Sequence, residues 1–315
     1  MRANASKHKA MSYGRMEEKA RELEAQVAAL MAAAEAADQA EDAQHGSHRG
    51  DELPEELRFR KQRLEKIREA MVALEAEAEA AAQKLREEKE AKAKAKGKES
   101  VPEGEPAQAA RPAEKAQKNF TDADSRIMRD GATKSFEQSY NSQAAVDSQA
   151  QVIVAAQVTQ QANDKQQVKP LVELMKVNLG GRTPEELSAD TGYYSEENVA
   201  YLEGQQIEPY IPPSRLKQEA SPEEPVEPIP DTAPTRERMA AKLRTAAGRK
   251  VYSKRKETVE PVFGQIKEAR GIRRFLLRGL DSVQAEWALI CATHNLLKLF
   301  RSGWEPAATG INKAA

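Results

Sequence analysis

Cysteine is almost missing from this sequence: Cys291 is the only one in 315 residues. That excludes internal disulfides and any cysteine-based zinc site, as expected of a chain kept in a reducing cytosol. Aromatic residues are scarce at 5%, beside 31% charged and 39% apolar residues. Such a chain can bury one sizeable core but is too polar to be a single compact globule, so part of it is expected to be extended or solvated. No stretch approaches the roughly 18 consecutive apolar residues of a membrane span, and no secretory signal precedes the polar opening MRANASKHK. An excess of one charge is lacking as well, with 49 basic residues against 50 acidic. Any nucleic-acid surface must then come from local segregation of charge. The expectation is a soluble, cytoplasmic protein with no membrane partner.

What is present is patterned. Met16, Ala20, Leu23, Val27, Leu30 and Ala34 alternate at spacings of four and three, the seam of a coiled-coil helix. After a polar break (HGSHRGDELP), Leu57, Leu64, Ile67, Met71, Leu74, Ala78, Ala81 and Leu85 follow the same register, so a second helix is predicted to fold back on the first. From about Glu87 to Lys118, charge is mixed with Gly and Pro, and the segment is expected to be a helix end fraying into disorder. Composition then changes. Ser139 to Asp147 and Gln151 to Gln160 read as an antiparallel strand pair. A helix follows, with Asp164 as its cap, Val168, Leu171, Val172 and Met175 as its apolar face and Gly180-Gly181 as its stop. A strand from Glu186 to Asp190, a helix capped by Ser195 and a strand from Ile207 to Ile211 complete the alternation. Residues 212 to 235 are proline-rich and read as a linker. Two helices are predicted after them, around Tyr252 to Ala269 and Asp281 to Arg301.

Two acids carry the candidate chemistry. Asp190 closes a strand in SADTGYYSEEN, where a carboxylate at the C-terminal edge of an open α/β sheet can face a metal or ligand. Taken alone it also reads as a turn cap before the Ser195 helix. Glu260 lies in YSKRKETVEPVFGQIK; at roughly 3.6 residues per turn Tyr252, Lys256, Glu260 and Lys267 share one narrow arc. Alone, that arc also reads as a solvated face with an ordinary Lys to Glu pair. From Arg236 to Arg301, 16 basic residues outnumber 6 acidic, and Arg270, Arg273, Arg274 and Arg278 cluster after the Glu260 helix. Contact with backbone phosphates is the natural use of such a cluster, a soluble basic face the plain alternative. His8, His45 and His48 read as solvated loop residues, and His294 and Cys291 as core.

The pairing of SADTGYYSEEN with YSKRKETVEPVFGQIKEARGIRRFLLRG resembles the second Asp and the catalytic Glu of bacterial insertion-sequence DDE transposases. Glu260 is followed by six residues and then Lys267, with Tyr252 ahead, as in the Tyr, Arg, Glu, Lys signature of that family. Arg255 precedes Glu260 by five positions where the signature has four, so either Arg255 or Lys256 fills that place. NFTDADSRIM, SYNSQAAVD, GDELPEEL and ANASKHKAMSYGRM resemble the branch with a helical insertion in its catalytic domain. The resemblance implies an RNase H-like mixed sheet with flanking helices, interrupted by a long antiparallel helical hairpin.

The implied domains are residues 1–10 as the end of a first catalytic strand, 11–90 as the hairpin, 91–118 as a disordered linker and 119–212 as sheet and helices bearing Asp190. A linker at 213–235, the Glu260 and C-terminal helices at 236–302 and a tail at 303–315 follow. In the family an Asp-Gly-Thr-Lys stretch supplies the first metal ligand just ahead of the opening string, so the resemblance implies a truncated copy. Asp122, Asp124 and Asp130 match none of the catalytic positions. The implied activity is DNA cleavage and strand transfer with two magnesium or manganese ions, held here by Asp190 and Glu260 in an incomplete site. DNA is the implied partner, contacted by Tyr252, Arg255, Lys256, Lys267, Arg270, Arg273, Arg274 and Arg278, with a homo-oligomer as the active form and no small-molecule substrate. The alternative is a catalytically dead DNA-binding or coiled-coil protein that inhibits a full-length transposase.

Overall fold

The computed structural model describes residues 1–45, 55–95, 111–130, 133–214, 230 and 232–303. The polar break between the first two helices and most of the segments expected to be linkers and tail lie outside these. The chain divides into two compact units, one of residues 5–137 and one of residues 1–4 with 138–315.

In the first unit, strand β1 (Ala10–Ser12) runs into helix α1 (Tyr13–His45), and helix α2 (Glu55–Ala95) returns beside it. Their direction is antiparallel, because positions rising along α1 meet positions falling along α2. Tyr13 Oη donates to Glu75 at 2.6 Å, Arg68 donates to Glu24 at 2.6 Å and Arg60 to Gln26 at 3.1 Å. The apolar seam buries Met16, Ala20 and Leu23 against Leu64, Ile67, Ala70 and Leu74. It is shorter than the heptad pattern suggests: Val27 and Leu30 are half-buried, and Leu85 is 52% exposed. Strand β2 (Gln117–Asn119) pairs antiparallel with β1, Ala10 opposite Asn119. Strand β3 (Arg126–Arg129) pairs with β4 (Phe136–Ser139), which leads out of this unit.

In the second unit, β5 (Asn141–Val146) and β6 (Ile153–Thr159) form the expected antiparallel pair, Ala144 opposite Ala156 and Ala145 opposite Ala155. Helix α3 (Val168–Asn178) packs its predicted apolar face against them, and Gly180 and Gly181 end it at φ 64° and 84°, angles that suit residues without a Cβ. Its cap differs from expectation. Gln167 stands at that position without a side-chain bond, and Asp164 is engaged elsewhere. Strand β7 (Glu186–Ser188), helix α4 (Glu196–Gly204, capped by Ser195 Oγ from Asn198 N at 3.0 Å) and strand β8 (Glu208–Tyr210) follow, β7 and β8 pairing in parallel.

The expected mixed sheet is in two pieces. β5–β6 and β7–β8 are separate two-stranded ladders, with no hydrogen bonds linking one to the other among the described residues. The amino-terminal residues form a third extended segment. Helices α5 (Thr235–Arg244), α6 (Ala246–Gly264, continued by a π-helical turn at Gln265–Ala269) and α7 (Leu280–Arg301) follow, α7 packing on β6, α6 on β5 and α5 on α4 and α6. Trp287 of α7 is fully buried, stacked on Phe263 with ring centres 5.9 Å apart, and its indole N–H donates to Gln143 O at 2.9 Å. His294 and Cys291 are buried as expected, whereas His45 closes α1 and is no loop residue. No described helix is long and apolar enough to cross a membrane.

Candidate functional site

A cleft of about 330 Å³ lies between the edges of β5 and β7, floored by α3 and roofed by α6. Asp190 stands at its end, where β7 gives out. The backbone is held by the bond from Ala189 N to Tyr210 O at 3.3 Å, and the exposed Asp190 carboxylate accepts from Gly192 N at 2.8 Å. The turn-cap reading is borne out for this residue, whose side chain caps the short turn Thr191–Tyr193.

A second carboxylate meets it there. A Cβ on Gly192 would lie 3.0 Å from Asp190 Oδ1 and 3.1 Å from Asp164 Oδ2, so only a residue without a side chain fits easily between the two acids. Asp164 Oδ1 accepts from Asn141 Nδ2 and Gln143 Nε2, both at 2.7 Å. Tyr193 donates its hydroxyl to Gln143 Oε1. Burial, and then the negative charges of Asp164 and Asp190, push the Tyr193 hydroxyl well above its ordinary pKa, so it stays a proton donor. Sequence reading assigned Asp164 to the α3 cap, and nothing in its spacing pointed to Asp190.

Helix α6 brings its own stripe to the cleft: Arg255, Val259, Phe263 and Lys267. A spacing of four drifts around a regular helix, and the π turn at Gln265–Ala269 restores Lys267 to the stripe. The arc of Tyr252, Lys256 and Glu260 lies beside this stripe, not on it. Lys256 is exposed, and the Glu260 side chain is 59% exposed. Glu260 connects to the cleft through Arg255, whose Nη2 is 3.6 Å from Glu260 Oε1 and whose guanidinium lies 5.5 Å from the Tyr252 ring centre. Arg255 Nε is buried and has no hydrogen-bond partner. Pro261, lacking an N–H, leaves the Glu257 carbonyl open within the helix, and Gln151 Nε2 donates to it at 2.7 Å.

The four arginines after α6 have different tasks. Arg270 is fastened to α7 through Ile290 O at 3.0 Å and Thr293 Oγ1 at 2.6 Å. Arg278 Nε donates to Asn4 O at 3.0 Å, and Arg273 pairs with Glu268 and reaches Lys267 O at 3.3 Å. Arg273, Arg274 and Arg278 are exposed, beside the exposed Leu276 and Leu277. Among the described residues, no group of three or more His, Cys, Asp or Glu side chains could hold a metal ion.

A family model described as the transposase DDE domain matches residues 112–296. No curated protein and no solved structure matches.

Proposed function

The chain belongs to the transposase DDE domain family, and from that premise we propose that it acts in transposition, cutting and joining DNA strands at the cleft beside Asp190 on an RNase H-like framework. The observation that carries this reading is the meeting of Asp190, at the C-terminal end of a parallel strand, with the α6 stripe of Arg255 and Lys267 in one cleft. That is where open α/β sheets bind their ligands. Asp190 and Glu260 are the proposed acids, and the proximity of Arg255 to Glu260 favours Arg255 over Lys256 as the basic member of the signature.

Transposases of this class use divalent ions. Two ions about 3.5 to 4 Å apart need a carboxylate that bridges them and further acids to hold each one. The donors here fall short of that. Asp190 is at the cleft, Glu260 is tied to Arg255, and one oxygen of Asp164 already takes two amide donors. These residues do not complete a two-ion site. Their own contribution is to position DNA: Arg273, Arg274, Arg278 and Lys267 are exposed cations that can meet phosphates. The incomplete acid set favours a second reading, a DNA-binding protein that does not cleave and that inhibits an active transposase.

Element-end DNA incubated with the chain in magnesium or manganese separates the two. Nicking abolished by Glu260→Ala, with binding retained, supports the enzyme. Binding without nicking supports the second reading, and absence of both overturns both.

A further inference from the structure

Helix α7 is apolar on two sides. Val283, Trp287, Ile290, Cys291 and His294 are its buried residues, on the side that packs against β6. Away from them, Ala285, Leu289, Ala292, Leu296 and Leu299 are exposed, Leu289 by 65% and Leu296 by 62%. Their spacings of four, three, four and three are those of a heptad seam. Leu276 and Leu277, also exposed, line one groove with Leu289 and widen the patch. A helix with apolar residues all round belongs in the interior, so this second seam is a face without its cover. The charged side chains beside it are tied down. Glu286 accepts the N–H groups of Leu276 and Leu277 at 2.9 Å, and Lys298 donates to Gln151 Oε1 at 2.6 Å.

The order of residues along the seam points to what covers it. Set against a reversed copy of itself about Ala292, the seam places Ala292 against Ala292, Leu289 against Leu296 and Ala285 against Leu299. The small residues at the centre let the two helices approach closely, and at either end a large side chain meets a small one, so the surface is complementary to itself. Charge agrees with that direction. Asp281 is exposed in the first turn and Arg301 in the last, so reversal brings the acid of each copy to the base of the other. The two helix dipoles then run opposite ways as well. A parallel copy would instead set Asp281 towards Glu286 of the second copy, acid against acid.

We propose that the exposed seam of α7 is an interface with a second copy of this chain, the two helices antiparallel about a twofold axis near Ala292. The inference rests on the packing and charge of α7 and does not need the catalytic reading.

Sedimentation equilibrium of the full chain is expected to show a mass that rises from monomer to dimer with concentration. Leu289→Glu with Leu296→Glu, both at exposed positions, is expected to weaken association roughly thirtyfold or more, the effect of losing a central interface contact, with the circular dichroism spectrum unchanged. Cysteine pairing reads the direction independently, should that variant fail to fold. Under mild oxidation Ala292→Cys is expected to form a covalent dimer by itself, whereas Ala285→Cys and Leu299→Cys do so only when mixed. The parent chain, with Cys291 only 3% exposed, is the unlinked control. A chain that stays monomeric, even if its apolar face then takes up phosphatidylcholine vesicles, overturns the proposal. So does a dimer unaffected by the two glutamates, or Ala285→Cys cross-linking to itself. Because neither DNA nor metal is present, none of these results bears on the catalytic reading.

Discussion

At the scale of single residues, Gly248 has no room for a side chain. A methyl group there would lie 2.0 Å from the carbonyl oxygen of Lys242 and 3.1 Å from the Leu243 Cα, both backbone atoms that cannot swing aside. Gly248→Ala is therefore expected to lower stability by about 1–3 kcal/mol or more, read as a fall in thermal midpoint. Cys291 offers a chemical readout of the same core. Burial pushes its thiol up to about 12, so the neutral form is favoured in the fold. Its contribution to stability is complete below the ordinary thiol range near pH 9 and is lost as pH rises through about 12. At pH 8 a disulfide reagent is expected to label Cys291 only as fast as the chain unfolds; rapid labelling of the folded protein would contradict the burial. The core assignment of Cys291 and His294 was legible in their apolar helix. The role of Asp164 was not, because its partners Asn141, Gln143 and Gly192 come from other elements.

At the scale of elements, the α1–α2 pair shows what periodicity can and cannot tell. The three-four spacing marks the helices and their shared face, since side chains that far apart in sequence stack on one side of a helix. Where the seam stops depends on how far the helices stay in contact, and that distinguishes the buried Ile67 from the exposed Leu85. Ile67→Ala is expected to cost about 2–5 kcal/mol, and Leu85→Ala to stay within about 0.5 kcal/mol of the parent, as read by urea unfolding followed through helical circular dichroism. Tyr13 adds a pH signature to this pair. Its hydrogen bond to Glu75 is the main cause that raises its hydroxyl to about 12. The associated stabilisation is present below pH 10 and lost as pH climbs towards 12. Tyr13→Phe is expected to flatten that loss.

At the scale of the whole molecule, the near-neutral charge conceals a basic C-terminal third, and the structure divides its arginines into structural and exposed ones. Arg270→Ala is expected to lower the thermal midpoint, because it removes the tie to Ile290 and Thr293 of α7. Arg273→Ala with Arg274→Ala is expected to leave folding intact and to reduce the slope of log binding constant against log salt on duplex DNA by up to about 1.8, since each lost phosphate contact contributes roughly 0.9. An unchanged slope would place the DNA path elsewhere.

The sequence by itself determined the helices other than α5, the strand pair, the Ser195 cap, the glycine stop of α3 and the family, because these depend on neighbours within a few residues or on a motif read along the chain. Only the tertiary structure decided that Asp164 stands beside Asp190, that Arg255 and not Lys256 lines the cleft with a π turn bringing Lys267 into line, and that β5 and β7 face one cleft with their edges open. Those relations are set by which distant segments pack together. Periodicity names the face each element buries but not the partner it buries it against.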